Sequence, residues 1–146
     1  MYSASIEIAA TPSQVFTWIT DPGLLKQWHP EIVEVKRPEG GLRVGATAQV
    51  LVKEFGRRFS VEFVVVAVEP SARFAYHMTA PMSGHIEYVL THRHDGTGLS
   101  LRIIPDEPNG GSRLIARAIS VLTRPLVQRK LRSQLAALRR VVEAKR

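Results

Sequence analysis

Hydrophobic and polar residues alternate along most of the first two thirds of the chain, the pattern of β-strands with one buried face. The first segment shows it plainly, because Ala4, Ile6 and Ile8 alternate with Ser5 and Glu7. Turn-forming residues separate six further strand-like segments, at 32–37, 46–53, 58–68, 73–79, 84–93 and 99–104. Short connections between successive segments favour an antiparallel meander.

Two short helices are predicted between the first and second strands. Thr11 is expected to cap the first helix, with Pro12 at its first position and Gln14 completing a capping box. The second helix is expected to carry Trp28 on its apolar side and to end before Pro30.

From about residue 112 to residue 145, apolar residues recur at helical spacing, which predicts one long amphipathic helix. They form two stripes: Ile115, Ala118, Ile119, Leu122 and Leu126, then Val127, Leu131, Leu135, Leu138 and Val142. The stripes are out of phase, and Pro125 lies at their junction. We therefore expect the helix axis to be disturbed there, because proline removes a backbone donor.

Alternation also divides the strands into two faces. We assign the following residues to the face that packs on the helix: Phe59, Val61, Phe63, Val65, Ala67, Phe74, Tyr76, Met78, Ile86, Tyr88, Leu90, Leu99, Leu101 and Ile103. The opposite face then carries Val64, Val66 and Val68. Such an exposed apolar strip motivates the hypothesis of a weak homodimer.

Charge is concentrated at the end of the chain. From Arg113 onward there are ten Lys/Arg residues and one acid, whereas residues 1–112 hold ten Lys/Arg and twelve acids. Residues 113–146 contain no aromatic side chain, and nucleic-acid-binding surfaces usually interleave aromatic with basic residues. The basic segment is therefore interpreted as a solvated helix face, with no nucleic-acid partner.

The remaining composition indicates an ordinary globular domain. A chain of 146 residues suffices for one hydrophobic core, and the absence of cysteine excludes disulfides and thiolate chemistry. The N-terminus lacks the basic start and apolar stretch of a signal peptide, and no apolar run is long enough to span a bilayer. A cytoplasmic location without an integral membrane segment is expected.

Three stretches carry a resemblance to a known family: ATPSQVFTWITDPGLLKQWHP (10–30), VGATAQVLVKEFGRRFSVEFVVVAVEP (44–70) and RPLVQRKLRSQLAALRRVVEA (124–144). Together with the element order, they resemble the START-related SRPBCC superfamily, specifically its bacterial polyketide cyclase/dehydrase-like members. The resemblance covers essentially the whole chain and implies a single α+β domain over residues 1–146. It implies the helix-grip fold, a curved seven-stranded antiparallel sheet around a long C-terminal helix, with two short helices after strand 1.

The resemblance also implies an apolar cavity between sheet and helix, entered near the short helices. The candidate ligand-binding residues are Trp18, Trp28, Phe63, Phe74, Tyr76, Tyr88, Leu101, Ile119 and Leu122. The tyrosines are the polar tips of an otherwise apolar face, and each hydroxyl bonds either a ligand oxygen or, as a core residue, backbone or water. Trp28 is expected to pack structurally, and a gating role for His29 is the alternative reading of this stretch.

No catalytic motif or inner pair of carboxylates is present, so catalytic residues are not assigned. His77, His85 and Glu87 alternate onto the outer face and could together bind zinc. We prefer a solvated face there, because the resemblance implies no metal. Neither a metal nor another cofactor is expected.

The sequence thus predicts a carrier or sensor that binds a hydrophobic or amphipathic small molecule, such as a lipid or polyketide-like compound. The first alternative is a polyketide cyclase/dehydrase-type enzyme that uses the same cavity, with tyrosines polarising carbonyl groups. The second is a protein-interaction module. An apolar cavity without titratable groups favours the carrier, and a His, Asp or Glu near the tyrosines favours the enzyme.

Overall fold

The computed structural model describes residues 1–36, 40–54, 56–80, 83–106 and 113–145, with backbone only for residues 80 and 113–123. The elements follow in this order: β1 (Tyr2–Ile8), α1 (Pro12–Thr20), α2 (Pro22–Trp28), β2 (Ile32–Lys36), β3 (Thr47–Glu54), β4 (Arg57–Glu69), β5 (Arg73–Ala80), β6 (Gly84–Arg93), β7 (Gly96–Pro105) and α3 (Arg113–Lys145).

All seven strands form one curved antiparallel sheet in the order β1-β7-β6-β5-β4-β3-β2. After β1, the helices α1 and α2 carry the chain to the opposite edge of the sheet, where β2 lies. Strands β2 to β7 then follow one another as hairpins, and the last of them, β7, pairs with β1. The predicted α+β helix-grip architecture is confirmed, including the long C-terminal helix.

Contacts from α3 extend from one edge strand of the sheet, β1, to β3, the neighbour of the other edge strand. On one side α3 packs along β1, where the Arg124 guanidinium donates to the carbonyl of Met1 at 3.0 Å. Near its C-terminal end, Glu143 accepts a hydrogen bond from the backbone N–H that follows β1. On the other side, Lys130 forms an ion pair with Glu54 at the end of β3. The helix therefore closes the concave side of the curved sheet.

The second apolar stripe of α3 forms the centre of the core, as predicted. Leu131, Leu135, Leu138 and Val142 are each at most 4% exposed. They pack with residues such as Ile8, Leu99 and Leu101 from β1 and β7. Within the described part of the chain, no helix is both long enough and apolar enough to cross a membrane.

One prediction for α3 is wrong. Leu126 was placed on the first apolar stripe, but its side chain is 67% exposed. The helix runs on through Pro125, and Leu126 lies outside the buried stripe that is formed by Leu131, Leu135, Leu138 and Val142. The side chains of Ile115, Ala118, Ile119 and Leu122 lie outside the described residues.

A β-bulge in β4 corrects the assignment of faces. Val65 lies opposite Tyr76, but Ala67 lies opposite the next residue of β5, Ala75. The extra residue in β4 reverses the alternation, since a shift by one residue exchanges the two faces. Ala67 therefore faces outward, and Val68, opposite Phe74, joins the core. The predicted outer valine strip is thereby reduced to Val64 and Val66.

The turn between β6 and β7 is tighter than the sequence suggested. Arg93 pairs directly with Gly96, so β7 starts at Gly96 and not at Leu99. Thr97, expected in the turn, is instead 1% exposed, and its hydroxyl donates to the carbonyl of Ala10 at 2.7 Å. This bond ties the β6–β7 hairpin to the start of the short helices.

Candidate ligand-binding site

The inner face of the sheet has a closed end and an open end. Under β6 and β7 the central side chains are closely packed, as for Leu99 and Leu101 at 1% and 2% exposure, while Ile6 and Ile103 towards the edge are partly buried. Under β4 and β5, by contrast, Phe63, Tyr76 and Met78 point the same way but stay half-buried. Space for a small molecule is therefore expected beneath β4 and β5.

An unbroken line of aromatic rings crosses the inner face at this open end. The ring centroids of Phe63 and Tyr76 are 4.7 Å apart, those of Phe74 and Tyr76 are 5.7 Å apart, and those of Phe74 and Tyr88 are 6.5 Å apart. All four residues were predicted as site candidates, and the register of β4, β5 and β6 brings them together.

The two phenols are neutral hydrogen-bonding groups at physiological pH. Burial raises the pKa of Tyr76 to about 12. Burial also raises the pKa of Tyr88 well above its usual value, and negative charge on Tyr76 or Glu31 raises it further. A neutral phenol hydroxyl can both donate and accept a hydrogen bond, so each of the two suits a ligand oxygen.

The short helices meet through their tryptophans. The capping box expected at Thr11 and Gln14 is present and starts α1. Trp28 is 1% exposed, and its indole N–H donates to the carbonyl of Trp18 at 3.1 Å. Trp28 thus offers no free polar group to a ligand, while Trp18 remains partly accessible beside it.

The sequence analysis missed a carboxylate, Glu31, whose negative charge contributes to the raised pKa of Tyr88. Glu31 Oε1 lies 3.1 Å from His29 Nδ1 and 3.2 Å from Gln134 Nε2 of α3. Strand alternation does not indicate Glu31, because this residue precedes β2 by one position. The sequence feature that could have indicated Glu31 is its position directly after Trp28-His29-Pro30. His29 ends α2, and its ring packs on that of Trp28, with centroids 3.8 Å apart.

Gln128 is the second polar group that the sequence analysis missed. It lies three residues before Leu131 and seven before Leu135, which places it on the inward side of α3. Its Oε1 atom is buried and has no hydrogen-bond partner among the residues that the structure describes. A buried acceptor without a partner is costly, and such atoms often mark a place where a ligand or water binds. The residue was overlooked because the helix around it is strongly basic.

Two surface pockets are separate from this region. One, of about 210 Å³, includes Glu34 and Gln49, and the other, of about 670 Å³, includes Ser5 and Ser100. Both lie on the outer face of the sheet. Also on that face, Glu87 pairs with Arg73 at 2.7 Å and with Arg102 at 3.5 Å. The set His77, His85 and Glu87 considered from the sequence is therefore not assembled.

The Glu31 contact should make stability depend on pH. The hydrogen bond from His29 lowers the pKa of Glu31 below its usual 4.5, although burial opposes this. A lowered folded-state pKa contributes stability above pH 4.5, which is lost as the pH falls through the folded-state value. Glu31→Gln should thus cost about 1–2 kcal/mol in the free energy of unfolding at neutral pH and progressively less in acid.

Urea denaturation between pH 3 and 7 measures this difference. Glu34→Gln, on the exposed side of β2, is the matched control and should show no comparable pH-dependent loss. A constant difference between wild type and Glu31→Gln across the whole pH range would contradict the expectation.

Comparison with known proteins agrees with the fold. The sequence pattern of the family described as polyketide cyclase / dehydrase and lipid transport matches residues 2–143. No curated protein matches the chain. Among solved structures, SA2116 from Staphylococcus aureus, of unknown function, is 15% identical with a TM-score of 0.75, and the alignment covers 98% of this chain and 94% of that one.

Two further structures are similar at comparable distance. The Polyketide_cyc-like protein Cgl2372 from Corynebacterium glutamicum is 20% identical, with a TM-score of 0.64 and coverage of 99% and 91%. Aha1 from Colwellia psychrerythraea, a dimer in solution, is 17% identical, with a TM-score of 0.66 and coverage of 97% and 95%. At these identities the structural likeness shows the fold alone. The match over residues 2–143 shows more: this chain belongs to the polyketide cyclase/dehydrase and lipid transport family of the SRPBCC superfamily.

Proposed function

We propose that the protein binds a hydrophobic or amphipathic small molecule between α3 and the inner face of β4, β5 and β6. The carrying observation is the half-burial of Phe63, Tyr76 and Met78, whose side chains point toward the helix but are not closed over by it. Family membership supports the proposal, since the family's description includes lipid transport.

Among the described residues, four polar side chains are candidates to line this region, and a small number of polar groups is usual in sites for apolar ligands. Tyr76, Tyr88 and Gln128 provide neutral hydrogen-bonding atoms, and Glu31 provides one charge. Burial of apolar ligand surface at roughly 25 cal/mol per Å² supports micromolar affinity without a charged anchor. The polar atoms would then orient an oxygenated ligand.

Gln128→Met tests this site, because methionine has a similar length but offers no comparable hydrogen bond. We expect an oxygenated ligand to bind about 2- to 13-fold more weakly, the equivalent of a neutral hydrogen bond of about 0.5–1.5 kcal/mol. The free energy of unfolding should stay the same or rise, since a buried acceptor without a partner is removed. Tyr88→Phe should weaken binding by a similar factor.

Binding is measured by displacement of a fluorescent anilinonaphthalene probe by fatty acids and polyketide-like aromatics. Gln27→Met, on the exposed side of α2, is the matched control and should leave affinity unchanged. If the folded protein neither takes up the probe nor retains a co-purified molecule in native mass spectrometry, the binding proposal is wrong.

A cyclase/dehydrase-type reaction at the same place is the second candidate function. It is favoured by Glu31, whose carboxylate lies close enough to Tyr88 to raise the pKa of that phenol. A carboxylate can accept a proton from an activated carbon while a neutral phenol donates to the adjacent carbonyl oxygen. Incubation with a poly-β-ketone substrate decides between the two, because a carrier releases its ligand unchanged, whereas an enzyme loses turnover in Glu31→Gln.

The weak homodimer, the protein-interaction function and the cytoplasmic location remain predictions from the sequence. Contact between two subunits through Val64 and Val66 would be weak, and sedimentation velocity at high micromolar concentration would detect it. A protein-interaction function becomes the preferred hypothesis only if the experiments above detect no ligand binding. The cytoplasmic location is part of the same proposal.

A further inference from the structure

Three side chains with metal-binding atoms meet on the outer face of the sheet, opposite the proposed ligand site. His77 of β5 and His85 of β6 lie directly opposite each other in register, and their rings stack with centroids 4.4 Å apart. Asp106 follows β7, and its Oδ2 lies 2.7 Å from His77 Nε2. One nitrogen from each histidine and one carboxylate oxygen all lie within 4.8 Å of one another.

Asp106 is held in place by a second group of contacts. Its backbone N–H donates to the carbonyl of Ser83 at 3.0 Å, and the Ser83 hydroxyl donates to Asp106 Oδ2. Ser83 immediately precedes β6, so both bonds connect the end of β7 to the start of the strand that carries His85. Hydrogen bonds of this kind orient a ligating carboxylate and add to metal affinity.

We propose that His77, His85 and Asp106 bind one divalent ion of the zinc class. Two imidazoles and a carboxylate form a donor set suited to Zn²⁺, with water completing a tetrahedral shell. Zinc–ligand distances of about 2.0–2.1 Å require ligand atoms roughly 3.3 Å apart. Small side-chain rotations reach this spacing, because the His77 and Asp106 side chains are 29% and 38% exposed and His85 is exposed.

The site differs from the zinc set considered from the sequence. Glu87 shares the outer face with the two histidines, but its carboxylate is engaged by Arg73 and Arg102. Asp106 takes the place of Glu87 in the set. His85 lies opposite Ile104 of β7 in register, so the end of β7, which Asp106 follows, lies beside His85. The bound ion would take the place of the hydrogen bond between His77 and Asp106 and would link β5, β6 and the end of β7.

Isothermal titration of the full chain, prepared without a histidine tag, with ZnCl₂ tests the proposal. One Zn²⁺ should bind per chain, and MgCl₂ should give no binding, since imidazole is a poor ligand for Mg²⁺. His85→Ala and Asp106→Asn should each weaken zinc binding by at least about tenfold. His85 is exposed, so the variant should fold, which circular dichroism checks.

His94→Ala is the matched control. His94 also pairs with an aspartate, Asp95 at 3.0 Å, but these side chains are 96% and 97% exposed and lie in the β6–β7 turn. This variant should bind zinc as the wild type does. Absence of zinc binding by the wild type, equal affinity in His85→Ala, or loss of binding in His94→Ala would each overturn the proposal.

Discussion

Leu138→Ala should destabilise the protein by about 2–5 kcal/mol, the range for removing a large aliphatic side chain from a core. Leu138 is 0% exposed, in the half of α3 that fills the concave side of the sheet. It belongs to the same core cluster as Ile8 of β1 and Leu101 of β7, and because α3 packs along β1, these residues cannot close the space without a shift of the helix. Urea denaturation measures the change in the free energy of unfolding.

Leu126→Ala is the control for this change, in the same helix and of the same chemistry. Because Leu126 is 67% exposed, its truncation should alter stability by less than about 0.5 kcal/mol. If both variants lose the same free energy, or if Leu138→Ala costs less than about 1 kcal/mol, the core described above is not the one that stabilises the protein.

Gly96→Ala should destabilise the protein by about 2 kcal/mol or more, by overpacking against backbone that cannot rotate away. A Cβ atom at Gly96 would lie 2.2 Å from the carbonyl oxygen of Ile8 and 3.1 Å from the Cα of Ala9. Gly96 also has a φ of +156°, which side-chain-bearing residues rarely adopt. This steric clash could be relieved only if the β6–β7 turn moved away from the end of β1.

Gly98→Ala provides the comparison two residues further along the same strand. Its Cβ would come within 2.9 Å of Arg93 Nε, which belongs to a long side chain that can move. The expected change is less than about 1 kcal/mol, because alanine restricts the unfolded chain and this offsets the small cost of moving the Arg93 side chain. Thermal and urea denaturation of the two variants measure the contrast, and equal losses would contradict the predicted steric cause.

The periodicities of the chain predict the fold well, because a strand or helix with one buried face must carry apolar residues at a regular spacing. A strand with one buried face repeats every two residues, and a helix that packs on a sheet repeats every three to four. These constraints are local, so Ile6, Leu99 and Leu135 indicate their own burial. The capping residues Thr11 and Gln14 likewise predict the start of α1 without reference to the rest of the chain.

The candidate site could be predicted only in part. Phe63, Phe74, Tyr76 and Tyr88 were found because alternation holds within the parts of β4, β5 and β6 that carry them, and the bulges in the β4–β5 pairing lie beside these parts. Glu31 and Gln128 were missed because one lies outside any strand and the other lies in a basic helix. Their relevance comes from what packs opposite them, and a single sequence does not record it.

By itself, the sequence determined the element types, the antiparallel sheet, the long C-terminal helix and the mostly apolar inner face. The tertiary structure alone decided which residues meet. The bulge in β4 turned Ala67 outward and Val68 inward, and the phase change in α3 exposed Leu126. Pairing of the strands brought Asp106, not Glu87, to the two histidines. The physical reason is that register and bulges minimise the energy of the whole sheet, so no short segment contains the information that sets them.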